Sequence, residues 1–313
     1  CWCLLFFFAL LHSSATMAAT EYDELDNLIQ HSKAITAKKV ARINDIRQRL
    51  STPHLTDRQR YEICMQLYNE YEAFRFDSAL VYANRTILYA RRMRNEKYLA
   101  EAQLKKVHVH TLAAFFVESR DLLDSIKVST LDARLTQAFN DEWYLLMSLL
   151  AEYTAGTQLH ASYEGRVEYY RRLILASPYK DTYAYVRAEM TELSERGHTE
   201  KAIGMLENYL KRWRRTNHEY AMVCFDLAEL YGKLGNSTKR LYYLVQSAIS
   251  DVYSSSKENN SLRLLADELF DQGDVERAYN YMNVSIEDAN FYGTRLRNIQ
   301  NAHILPRIFS AYI

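Results

Sequence analysis

Apolar positions in the second half of the chain recur with a period of 38 residues, as from Leu227 to Leu265. Within each copy they fall three or four residues apart, which places them on one face of an α-helix. After a glycine, each copy begins a second apolar stripe and therefore predicts a helical hairpin. The two clearest copies are Leu227, Ala228, Tyr231, Gly235, Arg240, Leu244 and Ser247, and then Leu265, Ala266, Leu269, Gly273, Ala278, Met282 and Ser285.

Glycines mark the ends of the first helices in these copies. Gly235 and Gly273 follow the first apolar stripe, where the chain must leave the helix, and glycine takes the left-handed conformation at little cost. A third copy upstream carries Gly197 at the same position. Because one hairpin cannot bury its apolar stripe alone, neighbouring copies must stack. The pattern predicts an all-α solenoid.

This arrangement resembles the tetratricopeptide repeat (TPR), whose usual unit has ~34 residues. The resemblance is carried by the glycine and alanine positions and by the segment Asp274-Val275-Glu276-Arg277-Ala278-Tyr279. The four extra residues of each copy amount to about one helical turn, so we interpret them as longer helices. The resemblance implies a TPR-like right-handed superhelix of about six helix pairs.

Helical spacing extends through the rest of the chain. Residues 21–51 predict one long amphipathic helix that can cap the open end of the stack. Residues 294–313 predict a terminal helix, interrupted at Leu305-Pro306, that leads toward a possible membrane segment. Between them, residues 57–293 predict the repeats, as helix pairs at 57–95, 97–127, 131–177, 181–215, 219–254 and 260–291.

The first 20 residues are typical of a secretory signal segment. An apolar run from Trp2 to Leu11 is followed by small residues, with Ala18 and Ala19 as candidate cleavage positions. Ten apolar residues are too few to span a bilayer. We therefore expect export of the chain, to the periplasm or to the extracytoplasmic face of the inner membrane.

Composition narrows the class of partner. Eight glycines and three prolines in 313 residues favour helices over a disordered chain. Lys plus Arg and Asp plus Glu both number 39, so no global positive field attracts nucleic acid. Cys64 and Cys224 stand alone on apolar helix faces, which predicts buried free thiols rather than a disulfide.

A wider resemblance joins three stretches of the chain. They are Tyr22–Asp26 with Ala41–Ile43, Leu67–Tyr71 with Phe76–Leu80, and Asn301-Ala302 with Ile304–Pro306. Together they resemble the exported repeat region of regulator-like proteins of the Bacteroides group, over residues 21–313. In longer members a membrane helix and a cytoplasmic segment thought to act in transcription follow. The resemblance implies the sensor region of a membrane-anchored regulator, and it gives no support for nucleic-acid binding by these residues.

The motifs of common enzymes are missing from the sequence. We find no glycine-rich phosphate loop, no metalloprotease histidine pair and no nucleophile elbow. His108 and His110 lie two positions apart, so they point to different sides of a helix and predict a surface pair rather than a metal site. The residues therefore predict a non-enzymatic protein without cofactor or metal.

Basic clusters fall near the ends of the predicted second helices. They lie at Arg91-Arg92-Met93-Arg94, Arg171-Arg172 and Lys211-Arg212-Trp213-Arg214-Arg215. Cations at a helix C-terminus are stabilised by the helix dipole. We interpret these clusters as cations that complement helix dipoles rather than as sites for nucleic acid or lipid.

What remains as a candidate site is the concave surface, which the first helices of stacked pairs line. Mixed charges with two aromatic side chains suit a protein or peptide segment. We therefore expect a non-enzymatic binding module; a free periplasmic scaffold and a carbohydrate-binding or hydrolytic subunit are the alternatives, and the ligand and oligomeric state stay open. The inward positions not needed for packing are Arg187, Glu195, Phe225, Glu229, Lys233, Arg263, Asp267 and Phe270.

Overall fold

The computed structural model describes residues 21–293 and 295–312. The predicted signal segment, residues 1–20, lies outside the described residues. The helices are α1 (residues 21–30), α2 (Ser32–Arg49), α3 (Asp57–Tyr71), α4 (Phe76–Arg92), α5 (Glu96–Leu112), α6 (Phe116–Ser125), α7 (Ala133–Tyr153), α8 (His160–Leu175), α9 (Tyr183–Glu195), α10 (Thr199–Leu210), α11 (His218–Lys233), α12 (Ser237–Ser254), α13 (Ser261–Asp271), α14 (Val275–Tyr292) and α15 (Arg295–Tyr312), with one 3-10 turn at Val128–Thr130.

The prediction of an all-α fold is confirmed for the described residues. Helices pack pairwise in the order of the chain, which is consistent with a TPR-like solenoid. The six predicted pairs correspond to α3 with α4 and onward to α13 with α14, and their observed ends lie close to the predicted ones. No helix in the described ranges combines the length and the apolar character that crossing a bilayer requires.

Two details of the terminal helices differ from the prediction. Instead of one helix over residues 21–51, α1 and α2 are separated by a turn at His31, whose ring Nδ1 lies 2.8 Å from the carbonyl oxygen of Asn27. The predicted interruption at Pro306 is wrong, because α15 continues through it. Pro306 is exposed and costs the helix one backbone hydrogen bond, while buried Ile304 and Ile308 on either side hold the helix in place.

The chain divides into two compact units. The N-terminal unit comprises Val40–His198 and Ala289–Gln300. The C-terminal unit comprises Thr199–Asp288 together with residues 21–39 and 301–312. In the N-terminal unit consecutive helices pack on one another from α3 through α9, with α9 as the last of the series. In the C-terminal unit consecutive helices pack on one another from α10 through α13.

The repeat positions form the core of the C-terminal unit. Leu227 and Leu265 are fully buried, and so are Leu244 and Met282 one helix later. The glycines act as predicted, since Gly197, Gly235 and Gly273 all have positive φ, between 69° and 87°. The period of 38 residues therefore reports equivalent packing positions in successive pairs.

In the N-terminal unit two helix ends take the left-handed conformation without glycine. Ala114, between α5 and α6, has φ 66°, and Arg94, between α4 and α5, has φ 51°. The start of α3 is fixed instead by a capping box, in which Thr56 and Gln59 exchange side-chain and backbone hydrogen bonds. Cys64 is buried here and Cys224 is buried in the C-terminal unit, both as free thiols.

Candidate binding surface

The structure places all eight predicted surface residues on first helices. Arg187 and Glu195 lie on α9 in the N-terminal unit, and the other six lie on α11 and α13 in the C-terminal unit. Glu195, Glu229 and Lys233 are exposed, whereas the remaining five are half-buried. Every one of them keeps some access to solvent, as a binding surface requires.

In the C-terminal unit an arginine of the second helix bridges two first helices. Arg240, on α12, lies 3.2 Å from Glu229 Oε1 through Nη1 and 2.7 Å from Glu268 Oε1 through Nε. A side chain on Gly232 would collide with the Arg240 guanidinium, so this glycine leaves the space that the arginine occupies. The bridge fixes Glu229 at a defined place on the surface.

The C-terminal helix contacts the face of α13 on which two predicted residues lie. Arg307, on α15, pairs with Asp267 at 3.1 Å and with Asp271 at 2.7 Å. Its guanidinium also lies 5.3 Å from the centre of the Phe270 ring, within range of a cation–π interaction. Burial raises the pKa of Asp267, and Arg307 opposes that rise. The candidate surface is thus in direct contact with α15.

In the N-terminal unit Glu195 belongs to an ion cluster around the buried Arg171, which the sequence did not reveal. Arg171, on α8, is buried and pairs with Glu195 at 2.6 Å, with Glu168 at closer range, and with Glu192 at 3.7 Å. Arg171 lies near the C-terminal end of α8, as the sequence predicted, but the three carboxylates around it were not predicted. The three carboxylates are near enough to one another to surround one cation, and the Arg171 guanidinium takes that position.

A second polar cluster joins the first helices α3, α5 and α7. His108 Nδ1 lies 3.1 Å from Glu142 Oε1, and its Nε2 lies 3.8 Å from Glu72 Oε1. Lys105 Nζ lies 3.5 Å from the same Glu72 oxygen, to which Tyr68 donates a hydrogen bond of 2.8 Å. Three side chains, Tyr68, Lys105 and His108, therefore surround the carboxylate of Glu72. Glu142 shares the partner His108, and the whole cluster is largely buried.

The charges in this cluster stabilise one another. Burial alone would lower the pKa of His108, but Glu142 and Glu72 raise it to about 9. Burial alone would raise the pKa of Glu72, but Lys105 and His108 lower it to about 2. Beside them, burial and the neighbouring Glu142 raise the pKa of Asp141 to about 8. Among the described residues Asp141 Oδ1 has no hydrogen-bond donor.

The two histidines of α5 differ in their surroundings. His110 is buried, its ring centre lies 6.0 Å from that of Phe115, and burial followed by the charge of Lys106 lowers its pKa. His108 faces carboxylates on α3 and α7. The prediction that the two rings point apart agrees with these contacts, but the predicted surface position is wrong, because His110 is only 9% exposed.

A late segment of the chain packs beside this cluster in the N-terminal unit. Tyr292 is buried, and its hydroxyl donates a hydrogen bond of 2.9 Å to the carbonyl oxygen of Glu72. Phe291 lies 5.1 Å from the ring of Phe74 and beneath the guanidinium of Arg75. Residues 289–293 thus pack on the end of the first helix pair.

A family model matches most of the chain. Residues 29–303 match the model described as the SusR N-terminal TPR domain. SusR is a membrane-anchored regulator of Bacteroides. No curated protein matches the chain. The match confirms both the repeat class and the family resemblance inferred from the sequence.

Proposed function

Since this chain belongs to the family of SusR N-terminal TPR domains, we propose that it is the exported sensor region of a membrane-anchored regulator. TPR domains are protein-binding helical-repeat modules and are usually not catalytic. The proposal adds three points to that class: location outside the cytoplasm, capture of a protein or peptide segment on the first-helix surface, and transmission of that event through α15.

The contact of Arg307 with α13 is the observation that carries the proposal. Arg307 lies on α15, and it binds Asp267 and covers Phe270, two of the predicted ligand-contacting residues. A ligand that brings its own cation or aromatic group to these residues competes with Arg307 for them. Occupation of the surface is thereby coupled to the position of α15.

The size of this coupling follows from exposure. Arg307 is about half exposed, so each of its ion pairs contributes roughly 0.2–1 kcal/mol. A coupling of ~1 kcal/mol changes an equilibrium about fivefold. Two other contacts also hold α15: Ile308 is fully buried, and the ring centres of Tyr312 and Tyr279 are stacked 3.9 Å apart. These contacts set how far α15 moves when Arg307 is displaced.

Charge reversal tests ligand capture. The double variant Glu229→Lys/Asp267→Lys should no longer retain the proteins or peptides that the wild-type chain captures from a periplasmic extract, as identified by mass spectrometry. Its melting temperature should stay close to that of wild type. The control variant Glu200→Lys/Glu287→Lys reverses two exposed charges on α10 and α14 and should capture normally. Equal capture by both variants would rule out this surface.

Transmission is tested on α15 itself. Saturation with the captured segment should increase hydrogen exchange of the amides of residues 301–312, and Arg307→Ala should produce part of that increase without ligand. If the segment binds and α15 exchanges unchanged, the chain is a scaffold rather than a sensor. The membrane anchor is tested separately by the reading frame after residue 313, where we expect an apolar segment of ~20 residues.

A further inference from the structure

Helix α1 presents four acidic side chains to the repeats of the C-terminal unit, and each of them meets a donor there. Glu21 accepts from Gln246 at 3.1 Å, and Glu24 pairs with Arg215 at 3.1 Å. Asp23 and Asp26 both pair with Arg277, at 3.2 and 3.0 Å, and Tyr281 donates to Asp26 at 2.7 Å.

An apolar contact lies between the acidic ones. Leu25 is fully buried, and it is the one buried side chain in residues 21–30. Tyr22, one turn earlier on the same face, lies 5.3 Å from the guanidinium of Arg277, and burial raises its pKa to about 12. The face of α1 that binds the repeats is therefore an apolar strip flanked by carboxylates.

The surface that receives α1 belongs to second helices and one loop. Gln246 lies on α12, Arg277 and Tyr281 lie on α14, and Arg215 lies between α10 and α11. Asp274 holds the guanidinium of Arg277 at 3.3 Å, which fixes its direction. Arg215 Nε is buried and has no acceptor within the described part of the chain. We call this set of residues the basic–tyrosine surface; it lies on helices other than the first-helix surface of the proposed function.

Helix α1 is attached to the rest of the chain by a stretch with little packing. Residues 31–42 include no buried side chain, and the next buried residue is Ile43. A turn at His31 separates α1 from α2. Both partners of the ion pair between α1 and α14 are partly open to solvent, since the side chain of Asp23 is 74% exposed and that of Arg277 is 32% exposed. The contacts of this stretch are polar ones near its end, where Lys39 donates to the carbonyl oxygen of Ser254 at 3.2 Å and Arg42 pairs with Glu70 at 2.7 Å. No buried side chain of residues 31–42 holds α1 in place.

The basic–tyrosine surface extends beyond the residues that α1 covers. A cleft of about 630 Å³ runs between α1 and α14. Ile29 and Gln30 line it on one side, and Asn280, Asn283 and Val284 line it on the other. A helix longer than α1, or one with a larger apolar side chain at the position of Ile29, would bury more of α14.

From these contacts we propose that the basic–tyrosine surface is a receptor for an acidic amphipathic helix of a partner protein, and that α1 is its resident, displaceable occupant. The partner helix carries carboxylates at two positions three residues apart, as Asp23 and Asp26 do, with a leucine between them. It binds by replacing α1, in the manner of a helix laid into a groove. Docked α1 therefore lowers the apparent affinity for the partner.

The test uses the full chain and a defined probe. The probe is a fluorescent peptide with the sequence of residues 21–39, kept helical by a crosslink between its exposed positions 27 and 31. Asp23→Arg/Asp26→Arg should release α1 from Arg277, seen as faster hydrogen exchange of residues 21–30. Because a site that is occupied most of the time binds in proportion to its free fraction, we expect the variant to bind the probe about tenfold tighter than wild type, or better.

Two further variants keep the test interpretable. Adding Arg277→Glu to the double variant restores opposite charges between α1 and α14, so α1 should dock again and the probe, which carries carboxylates at both positions, should be excluded. Asp45→Arg/Glu200→Arg reverses exposed acids elsewhere and should bind the probe as wild type does.

Three results would overturn the proposal. Unchanged exchange of residues 21–30 in Asp23→Arg/Asp26→Arg would mean that the ion pairs do not hold α1. Release of α1 without binding of the probe would mean that the surface is no receptor. A wild-type dimer that the probe dissociates, seen by sedimentation, would assign the surface to a second copy of the chain instead of a partner protein.

Discussion

The pH dependence of stability should depend on His108. Its pKa rises from an ordinary value of 6.5 to about 9 in the folded chain. The folded state therefore holds this proton more tightly than the unfolded state. The stabilisation is complete below about pH 6.5 and is lost as the pH rises through about 9.

The magnitude follows from the same two values. The difference between them corresponds to ~3 kcal/mol of unfolding free energy. Because 28% of the His108 side chain is exposed, solvent screening reduces our expectation to ~2 kcal/mol. His108→Gln removes the titrating group, so the variant should be less stable than wild type by about that amount in mild acid and nearly equal to it at high pH.

The measurement is urea unfolding followed by far-UV circular dichroism, at half-unit steps of pH across this window. His110→Gln is the matched control on the same helix. Because the pKa of His110 is lowered, its stabilisation is present above about pH 6.5 and is lost as the pH falls, so this variant should change only the acid side. Two results would refute the reasoning. One is an NMR titration in which the pKa of the His108 imidazole is close to its ordinary value of 6.5. The other is a loss of stability at alkaline pH that is the same in His108→Gln as in wild type.

Three further predictions test other contacts. Asp141→Asn should stabilise the chain by roughly 1–3 kcal/mol above about pH 8 and much less in acid, since the amide removes a buried carboxylate without a donor; urea unfolding measures this. Leu25→Ala should cost about 2–4 kcal/mol of local docking, seen as faster hydrogen exchange of α1 with little change in melting temperature. Gly165→Ala should stabilise the folded chain by ~0.5–1 kcal/mol, because Gly165 lies on α8 with open space around it. Gly273→Ala should destabilise the folded chain by ~1 kcal/mol, because Gly273 has φ 87°. Melting temperatures measure both effects.

The helix pairs could be predicted because their signals are local. Leu227 and Leu265 recur at the period of 38 residues, and the apolar residues around each of them follow helical spacing. Gly235 and Gly273 end the first helices because glycine takes the left-handed conformation easily, and this preference can be read from the residue type alone. Ala114 ends a helix in the same conformation without that preference, so no residue type announced it. The sequence predicted the pair over residues 97–127 but not the position of the break inside it.

The polar clusters could not be predicted because they depend on which helices meet. Arg171 reads as a cation at a helix end, yet packing of α8 on α9 surrounds it with carboxylates. His108 likewise acquires its charge from Glu142, which lies 34 residues away on α7. The eight surface residues were placed on the correct helices, but the contact of Arg307 with two of them required the position of α15.

The docking of α1 also has a consequence for the order in which the nascent chain folds. Asp26 leaves the ribosome 255 residues ahead of Tyr281, whose hydroxyl donates a hydrogen bond to it in the folded chain. Local hairpins form early in folding, whereas closing so long a loop must wait for the final pair. We expect this acidic segment to be solvent-exposed for most of translation and to close as one of the last steps, so that chaperones and proteases meet it before α14 does.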